Sequence, residues 1–427
     1  MRFSSAHIVA IQKGVQAATG LITAILVSHL LSPTEQGYYY TLGSLLSGYI
    51  LLDLGLSSLI AQKSAQLSKG LSLDPRRWSA SEQKQGRAFL GLIHWTQSSY
   101  LKLALLSWVL LPIGYGFLSL DHEASSFEWL SPWALIVLCV SLSLPAQGFL
   151  ALLEGTGAVR ETYTLRILHY LLGSISGWVL ISQHQALFAL SMPPLWTALI
   201  VFVRYLVRYR PGLQKIRTKA KRIEWRTRIW PEQKDIAAIW VSNYAILNLP
   251  VLCSFASGSV QDAGKLGLSI VVANVLGAVA LAPVTARLPN IIHLIEDRKA
   301  QQASSLFYRS MLKSAGLYVL GSSLGVGLLI ALESNPFSSR ILSHEQLALL
   351  LAGFGGFHGF NAYSTYARVR WGGGLGPISL STTALLVLGL MLSTTEGTKQ
   401  LIWILSGTSW AALILSVSLN QLRKQRL

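Results

Sequence analysis

Residues 204–234 read RYLVRYRPGLQKIRTKAKRIEWRTRIWPEQK, and how this stretch is taken decides the fold. It holds eleven basic residues (Arg204, Arg208, Arg210, Lys215, Arg217, Lys219, Lys221, Arg222, Arg226, Arg228 and Lys234) against two acids, Glu224 and Glu232. In isolation such a run is a nucleic-acid patch. Here long apolar segments run up to it from both sides. Lys and Arg accumulate in membrane-protein loops that are not translocated, so the run reads as a cytoplasmic loop between two membrane-embedded halves.

Composition agrees. The chain has 427 residues, 52% hydrophobic and 12% charged, with a mean hydropathy of +0.47. Soluble domains carry roughly 25% charged residues, so this is a polytopic membrane protein. The net charge of +17 does not imply a nucleic-acid partner, because the basic residues cluster between apolar spans. Cys139 and Cys253 both fall in apolar segments and have neither metal-ligand nor scaffold spacing. The first apolar run lacks a small-residue cleavage site and reads as a retained helix.

A spanning helix needs about 20 mostly apolar residues. That ruler predicts an all-α chain of about twelve transmembrane helices at 8–30, 38–62, 99–119, 131–153, 164–182, 184–203, 236–256, 263–285, 310–332, 346–362, 376–393 and 400–419. With the N-terminus cytoplasmic, the outer loops carry only Arg340 and Lys399, with Lys265 just inside the next span; the other 32 of 35 basic residues fall on the inner side. One helix more or fewer would put the 204–234 run outside. The asymmetry therefore predicts six helices in 1–203, a basic linker at 204–235 and six helices in 236–427, with both termini cytoplasmic. The inner stretches 63–98 and 213–230 interleave basic residues with Trp78, Trp95, Trp225 and Trp230. They can lie against anionic lipid headgroups or be solvated loops that only fix topology.

Ionisable residues inside spans are costly and are functional candidates by default. Asp53, in YILLDLGLSSL, lies about 14 Å from the inner end of its span at 1.5 Å per residue. It reads either as a coupling-ion or ion-pair site or as a structural helix-end contact. Arg166 and His169 are one turn apart, as are His358 and Asn361, so each pair shares a helix face. Lys13 and Arg287 lie near inner helix ends. They can join Arg166 and His169 in a cationic lining for phosphate or snorkel to the interface. Asn243, Asn248 and Asn274 are polar groups that can line a cavity or bond helix to helix. Pro145, Pro250 and Pro283 can break helices. There is no metal-ligand cluster, GxSxG elbow or P-loop, and WGGGLG at 371–376 reads as a connector. No catalytic residue or metal site is expected.

Two hairpins look alike. Residues 30–62 read LLSPTEQGYYYTLGSLLSGYILLDLGLSSLIAQ and residues 263–295 read AGKLGLSIVVANVLGAVALAPVTARLPNIIHLI. Each has a polar turn, a glycine (Gly37, Gly264) and a span rich in small residues. The first hairpin with its basic inner loop, the second hairpin and the span count resemble the Wzx-like O-antigen and polysaccharide flippases of the multidrug/oligosaccharidyl-lipid/polysaccharide exporter superfamily. The resemblance implies two pseudo-symmetric six-helix bundles around a central cavity, and a polyprenyl-diphosphate-linked oligosaccharide carried between leaflets of the bacterial inner membrane. Cationic cavity residues would fall on Lys13, Arg166 and Arg287. It implies no cofactor beyond coupling to a Na+ or H+ gradient, and other polysaccharide-assembly proteins as partners. A multidrug exporter of the same superfamily and a membrane polysaccharide polymerase are the alternative readings. The first would favour acidic cavity residues, and the second commonly needs a large outer loop.

Overall fold

The computed structural model describes residues 5–68, 86–119, 128–210, 229–257, 259–331, 335–371, 375–392 and 398–425, together with 71, 73, 78, 79, 82 and 227. The described residues form helices and no strands. In chain order the helices are α1 (Ser5–Leu30), α2 (Pro33–Ser68), α3 (Arg87–Leu118), α4 (Leu130–Gly155), α5 (Val159–Ser182), α6 (Ala186–Tyr209), α7 (Trp230–Ala256), α8 (Val260–Ala280), α9 (Ala282–Glu296), α10 (Ala300–Ala331), α11 (His344–Trp371), α12 (Gly376–Leu392) and α13 (Thr398–Gln425). Ten are long and apolar enough to cross a membrane, and α12 contains a shorter apolar stretch. A polytopic all-α membrane protein is therefore the observed fold class.

Each expected span has a counterpart, but the ends move. Span 99–119 begins twelve residues earlier, at Arg87, and span 310–332 ten earlier, at Ala300. Backbone hydrogen bonding continues a helix past its hydrocarbon-matched part, so hydropathy marks the lipid-embedded portion only. The inner stretch 63–98 is correspondingly shorter than expected. Within it Trp78 is buried against Phe89, with ring centroids 6.1 Å apart. Residues 120–127 of the expected outer loop, most of the linker including Trp225, and Gly372–Gly374 lie outside the described residues. The three prolines differ in effect. Pro145 and Pro250 lie inside continuous helices, whereas Pro283 occupies the first turn of α9. Proline lacks an N–H and is tolerated in a first turn. Span 263–285 accordingly becomes two helices, and Arg287 sits on the second.

The chain forms two compact units, Met1–Leu31 with Leu45–Ala237, and Ser32–Ser44 with Ala238–Leu427. Of the three changes of unit, the first falls between α1 and α2 and the other two fall inside helices α2 and α7. In the first unit the core is built around α4, with Trp133, Ile136 and Leu150 essentially inaccessible, beside Tyr100 and Phe89 of α3. In the second, Phe307 of α10 stacks on Tyr366 of α11 at 4.2 Å and 8°. The opposite faces are apolar and exposed, as in Leu105 (74%) and Leu312 (76%). A helix that is apolar on both faces suits a lipid surround.

The segment 32–44 joins the second unit by close backbone approach. A side chain at Gly37 would strike the Val260 carbonyl at 2.1 Å, and one at Gly264 would lie 2.8 Å from the Gly37 nitrogen. The two glycines that occupy like places in the two similar hairpins therefore pack against each other. Gln36 Nε2 fixes the register by donating to the carbonyls of Gly264 (3.1 Å) and Arg340 (2.8 Å).

Candidate functional site

Asp53 ends a helical turn, Ile50–Asp53, and the next residues leave the helix: Leu54 has φ 44° and Gly55 has φ 72°. Two successive left-handed residues reverse the backbone locally, and for Leu54 this is a strained conformation. The helix restarts at Leu56. Its first free N–H groups face the carboxylate, with Ser57 N donating to Oδ2 at 3.4 Å and Ser57 Oγ at 2.9 Å. Asp53 thus sits where a helix N-terminus favours a negative charge. Tyr100 of α3, fully buried, donates its hydroxyl to Oδ1 at 2.5 Å. The carboxyl is 8% exposed, so burial is offset by an almost complete set of donors. Neither the break after Asp53 nor its partner Tyr100, 47 residues away, was expected from the sequence.

Arg166 is held between α4 and α5 of the first unit. Its guanidinium donates to Glu154 Oε2 at 2.7 Å and lies 4.9 Å over the Tyr163 ring. Tyr163 donates to the other carboxylate oxygen at 3.0 Å. Lys13 of α1 feels the fields of both Arg166 and Glu154, while its Nζ donates to Gln16 at 3.5 Å. Span 131–153 as expected stopped one residue short of Glu154, which is why this anion went unnoticed. His169 shares the α5 side of Arg166 but is buried at 6% exposure beside Tyr170, with Nδ1 lacking a hydrogen-bond partner.

A second cluster was not foreseen. Glu161 accepts from Arg204 Nε at 2.7 Å and from Tyr209 at 3.0 Å, with Arg208 at 3.7 Å. The last turn of α6, Tyr205–Tyr209, is a π-turn, a wide turn frequent at functional sites. It aims Tyr205 and Tyr209 at Phe149, 5.5 and 5.2 Å away. Lys63 pairs with Glu232 in the same unit.

The second-unit candidates are scattered. Arg287 is exposed on α9. Asn274 is exposed on α8. Asn248 and Asn361 donate back to their own helices, to the Tyr244 carbonyl at 3.1 Å and the Phe357 carbonyl at 3.2 Å. Asn243 keeps a buried Oδ1 with no partner. His358 lines a cavity enclosed by α8, α10, α11 and α13, whose walls do not include Asn361.

No family model matches the chain, and no curated protein matches it in sequence. Solved structures do match over nearly the full length. The eukaryotic MATE transporter AtDTX14 superposes with a TM-score of 0.64 at 13% identity, covering 98% of this chain and 94% of that one. The Vibrio cholerae MATE transporter VcmN gives 0.56 at 15% identity, covering 99% and 96%. The lipid II flippase MurJ, in an inward closed conformation, gives 0.57 at 13% identity, covering 96% and 87%. The fold is that of the MATE and MurJ transporters of the MOP superfamily.

Proposed function

We propose that the chain is a flippase moving a polyprenyl-diphosphate-linked oligosaccharide from the inner to the outer leaflet of the bacterial cytoplasmic membrane, by alternating access, for surface polysaccharide assembly. Unaided passage of sugar and diphosphate through about 30 Å of hydrocarbon is prohibitive. The observation that carries the reading is the cationic surplus in the first unit. Arg166 pairs with Glu154 within the field of Lys13, and Arg204 and Arg208 converge on Glu161. Arg suits phosphate by its planar fork. Arg287 and the polar groups of the second unit are secondary candidates.

Asp53 is the proposed coupling position, taking up H+ or Na+ from a gradient, because it is a buried carboxyl with a neighbouring hydroxyl that can reorient. The basic inner segments bind anionic lipid, and both termini are cytoplasmic. Other polysaccharide-assembly proteins are the expected partners; nucleic acid is not one, and no chemistry beyond transport is assigned.

Export of multidrug-like small molecules is the second reading, favoured by the equal likeness to the MATE transporters. Deleting the gene in its source bacterium separates the two. Lipid-linked repeat units accumulating on the cytoplasmic leaflet, with loss of surface polysaccharide, is the result expected for a flippase. Unchanged leaflet distribution with new drug sensitivity would favour export, and unpolymerised units outside would indicate a polymerase.

A further inference from the structure

The groups that converge on the Asp53 carboxylate are all donors. Tyr100 donates to Oδ1 at 2.5 Å. Ser57 reaches Oδ2 with its backbone N–H at 3.4 Å and its hydroxyl at 2.9 Å, and the Gly55 N–H is also turned onto the carboxylate. An ionised carboxyl offers about four lone-pair positions, so its capacity is taken up. A hard cation is held by oxygen acceptors. A carboxylate that already accepts from this many N–H and O–H groups can serve one only after donors are displaced.

Two of the donors are hydroxyls, which can also accept. Ser57 Oγ lies within hydrogen-bonding reach of the Tyr100 hydroxyl as well, so the oxygens of Asp53, Tyr100 and Ser57 close a ring. The Tyr100 side chain cannot swing away. It is fully buried, and it lies so close on α4 that a side chain at Gly148 would meet its Cδ2 at 2.5 Å. What remains free to turn is the hydroxyl hydrogen. Among the described residues, no cation is one of the groups acting on the carboxylate. Its titratable neighbours are Tyr100 from α3 and Tyr49 from its own helix; Tyr170 of α5 acts on Tyr49 and itself lies in the field of Arg166. The charge of Asp53 is thus met by dipoles, and a proton is the species that can cancel it within the same set of contacts.

We propose that the Asp53–Tyr100–Ser57 ring takes up one proton from water, which makes H+ and not Na+ the coupling ion; this rests on the reading of Asp53 as the coupling position. The proton binds Oδ1, and the new O–H donates to the Tyr100 oxygen. The Tyr100 hydroxyl turns to donate to Ser57 Oγ, and Ser57 goes on donating to Oδ2. No bond between heavy atoms forms or breaks, and release runs the same rotations backwards. Tyr100 and Ser57 are therefore positioning residues. They let a buried carboxyl be charged or neutral without leaving a polar group unpaired, which would otherwise cost free energy in either state.

The test follows the carboxyl itself by infrared spectroscopy on the full-length protein in nanodiscs, titrated with acid in sodium chloride or choline chloride. A protonated-carboxyl band that D53N removes is expected, with the same midpoint in both salts. Y100F keeps the carboxyl but removes the acceptor of its new hydrogen bond, so the band should shift in frequency; this variant also carries the test if D53N does not fold. A midpoint that falls by about one pH unit per tenfold rise in Na+, as competition for one site requires, would overturn the proposal. So would a band unchanged by Y100F, or the lack of any band lost in folded D53N. The band reports proton uptake without transport. If it titrates as expected while a pH gradient across proteoliposomes moves no substrate, the reading of Asp53 as the coupling position is overturned and the proton site is not.

Discussion

In the first unit, carboxylates that reach helix interfaces meet cations or hydroxyls from other helices: Asp53 with Tyr100, Glu154 with Arg166 and Tyr163, Glu161 with Arg204 and Tyr209, Glu232 with Lys63. In the second unit, the ion pairs among the described residues are local and exposed, His293–Glu296 and Lys299–Asp297. Its helices are joined by small residues, by hydrogen bonds to backbone and by hydroxyl contacts, with Arg370 of α11 donating to Ser304 of α10 and Thr383 of α12 to Ser242 of α7. Ser406 and Trp410 of α13 donate to the Leu349 and Ala352 carbonyls of α11 at 3.1 and 3.0 Å, and α11 presents Gly353 and Gly356 to the same two side chains. Two bundles of one fold thus use different glue. Without a hydrophobic drive between helices in lipid, packing of small residues and interhelical hydrogen bonds are the terms left. The unit whose carboxylates are paired across helices is the one suited to handle a coupling ion.

Replacing Asp53 with Ala tests the contrast most severely. It strands the Tyr100 hydroxyl and the N-terminal donors of the following helix. An unsatisfied buried group costs about 1–3 kcal/mol, so a loss of about 3 kcal/mol in unfolding from mixed micelles is expected, together with abolished transport. Tyr100→Phe should lose less of both. A functional and stable D53A variant would remove Asp53 from either role.

Gly277→Ala addresses the second unit in the same assay. The added methyl meets the His358 ring at 1.7 Å, and overpacking typically costs about 1–3 kcal/mol. The companion H358A should return most of that loss in the double variant, since the clash is with the ring itself. Additive losses would mean that the two residues are not in contact.

A double-mutant cycle over Arg166→Gln and Glu154→Gln measures the pair directly. Both side chains are about a quarter exposed, so solvent screening limits the coupling to about 1 kcal/mol. The transport readout separates roles. If Arg166 only neutralises Glu154, the double variant transports as the original protein does; if it meets the substrate, transport stays impaired when the pair is removed.

The smallest effect is expected at Leu54, where glycine relieves a left-handed conformation worth about 1–2 kcal/mol in a residue with a side chain. Because glycine also loosens the unfolded chain, a net gain below about 1 kcal/mol is expected for L54G. A clear loss would show that the Leu54 side chain contributes more than its backbone conformation costs.

Much of this architecture was legible in the sequence because hydropathy and the placement of Lys and Arg report directly on the bilayer. The basic stretch beginning at Arg204 marked the middle of the chain, and each expected span has its helix. The reassignment of residues 32–44 to the second unit could not be seen, since nothing local tells a helix which bundle it serves. The Gly37 and Gly264 match hinted at a shared role without saying that the two residues touch. At the site, single residues were found and their partners were not. Asp53 stood out because a carboxylate in an apolar run is rare, but Tyr100 looks like any membrane tyrosine. Arg166 and His169 were paired by helical spacing, whereas the true partner of Arg166 came from the end of the preceding helix. Helix periodicity reports neighbours along one element; contacts between elements depend on packing, which small residues such as Gly277 decide.

Transport itself is best measured with the purified protein in liposomes carrying a fluorescent polyprenyl-diphosphate disaccharide, using a membrane-impermeant quencher to count the probe in the outer leaflet. The flippase account predicts that protein and an imposed ion gradient together make the inner-leaflet pool accessible to quencher, and that R166Q/E154Q or D53A vesicles do not. An inner pool that stays protected in vesicles with active, correctly folded protein, while a small cationic dye is moved, would contradict it.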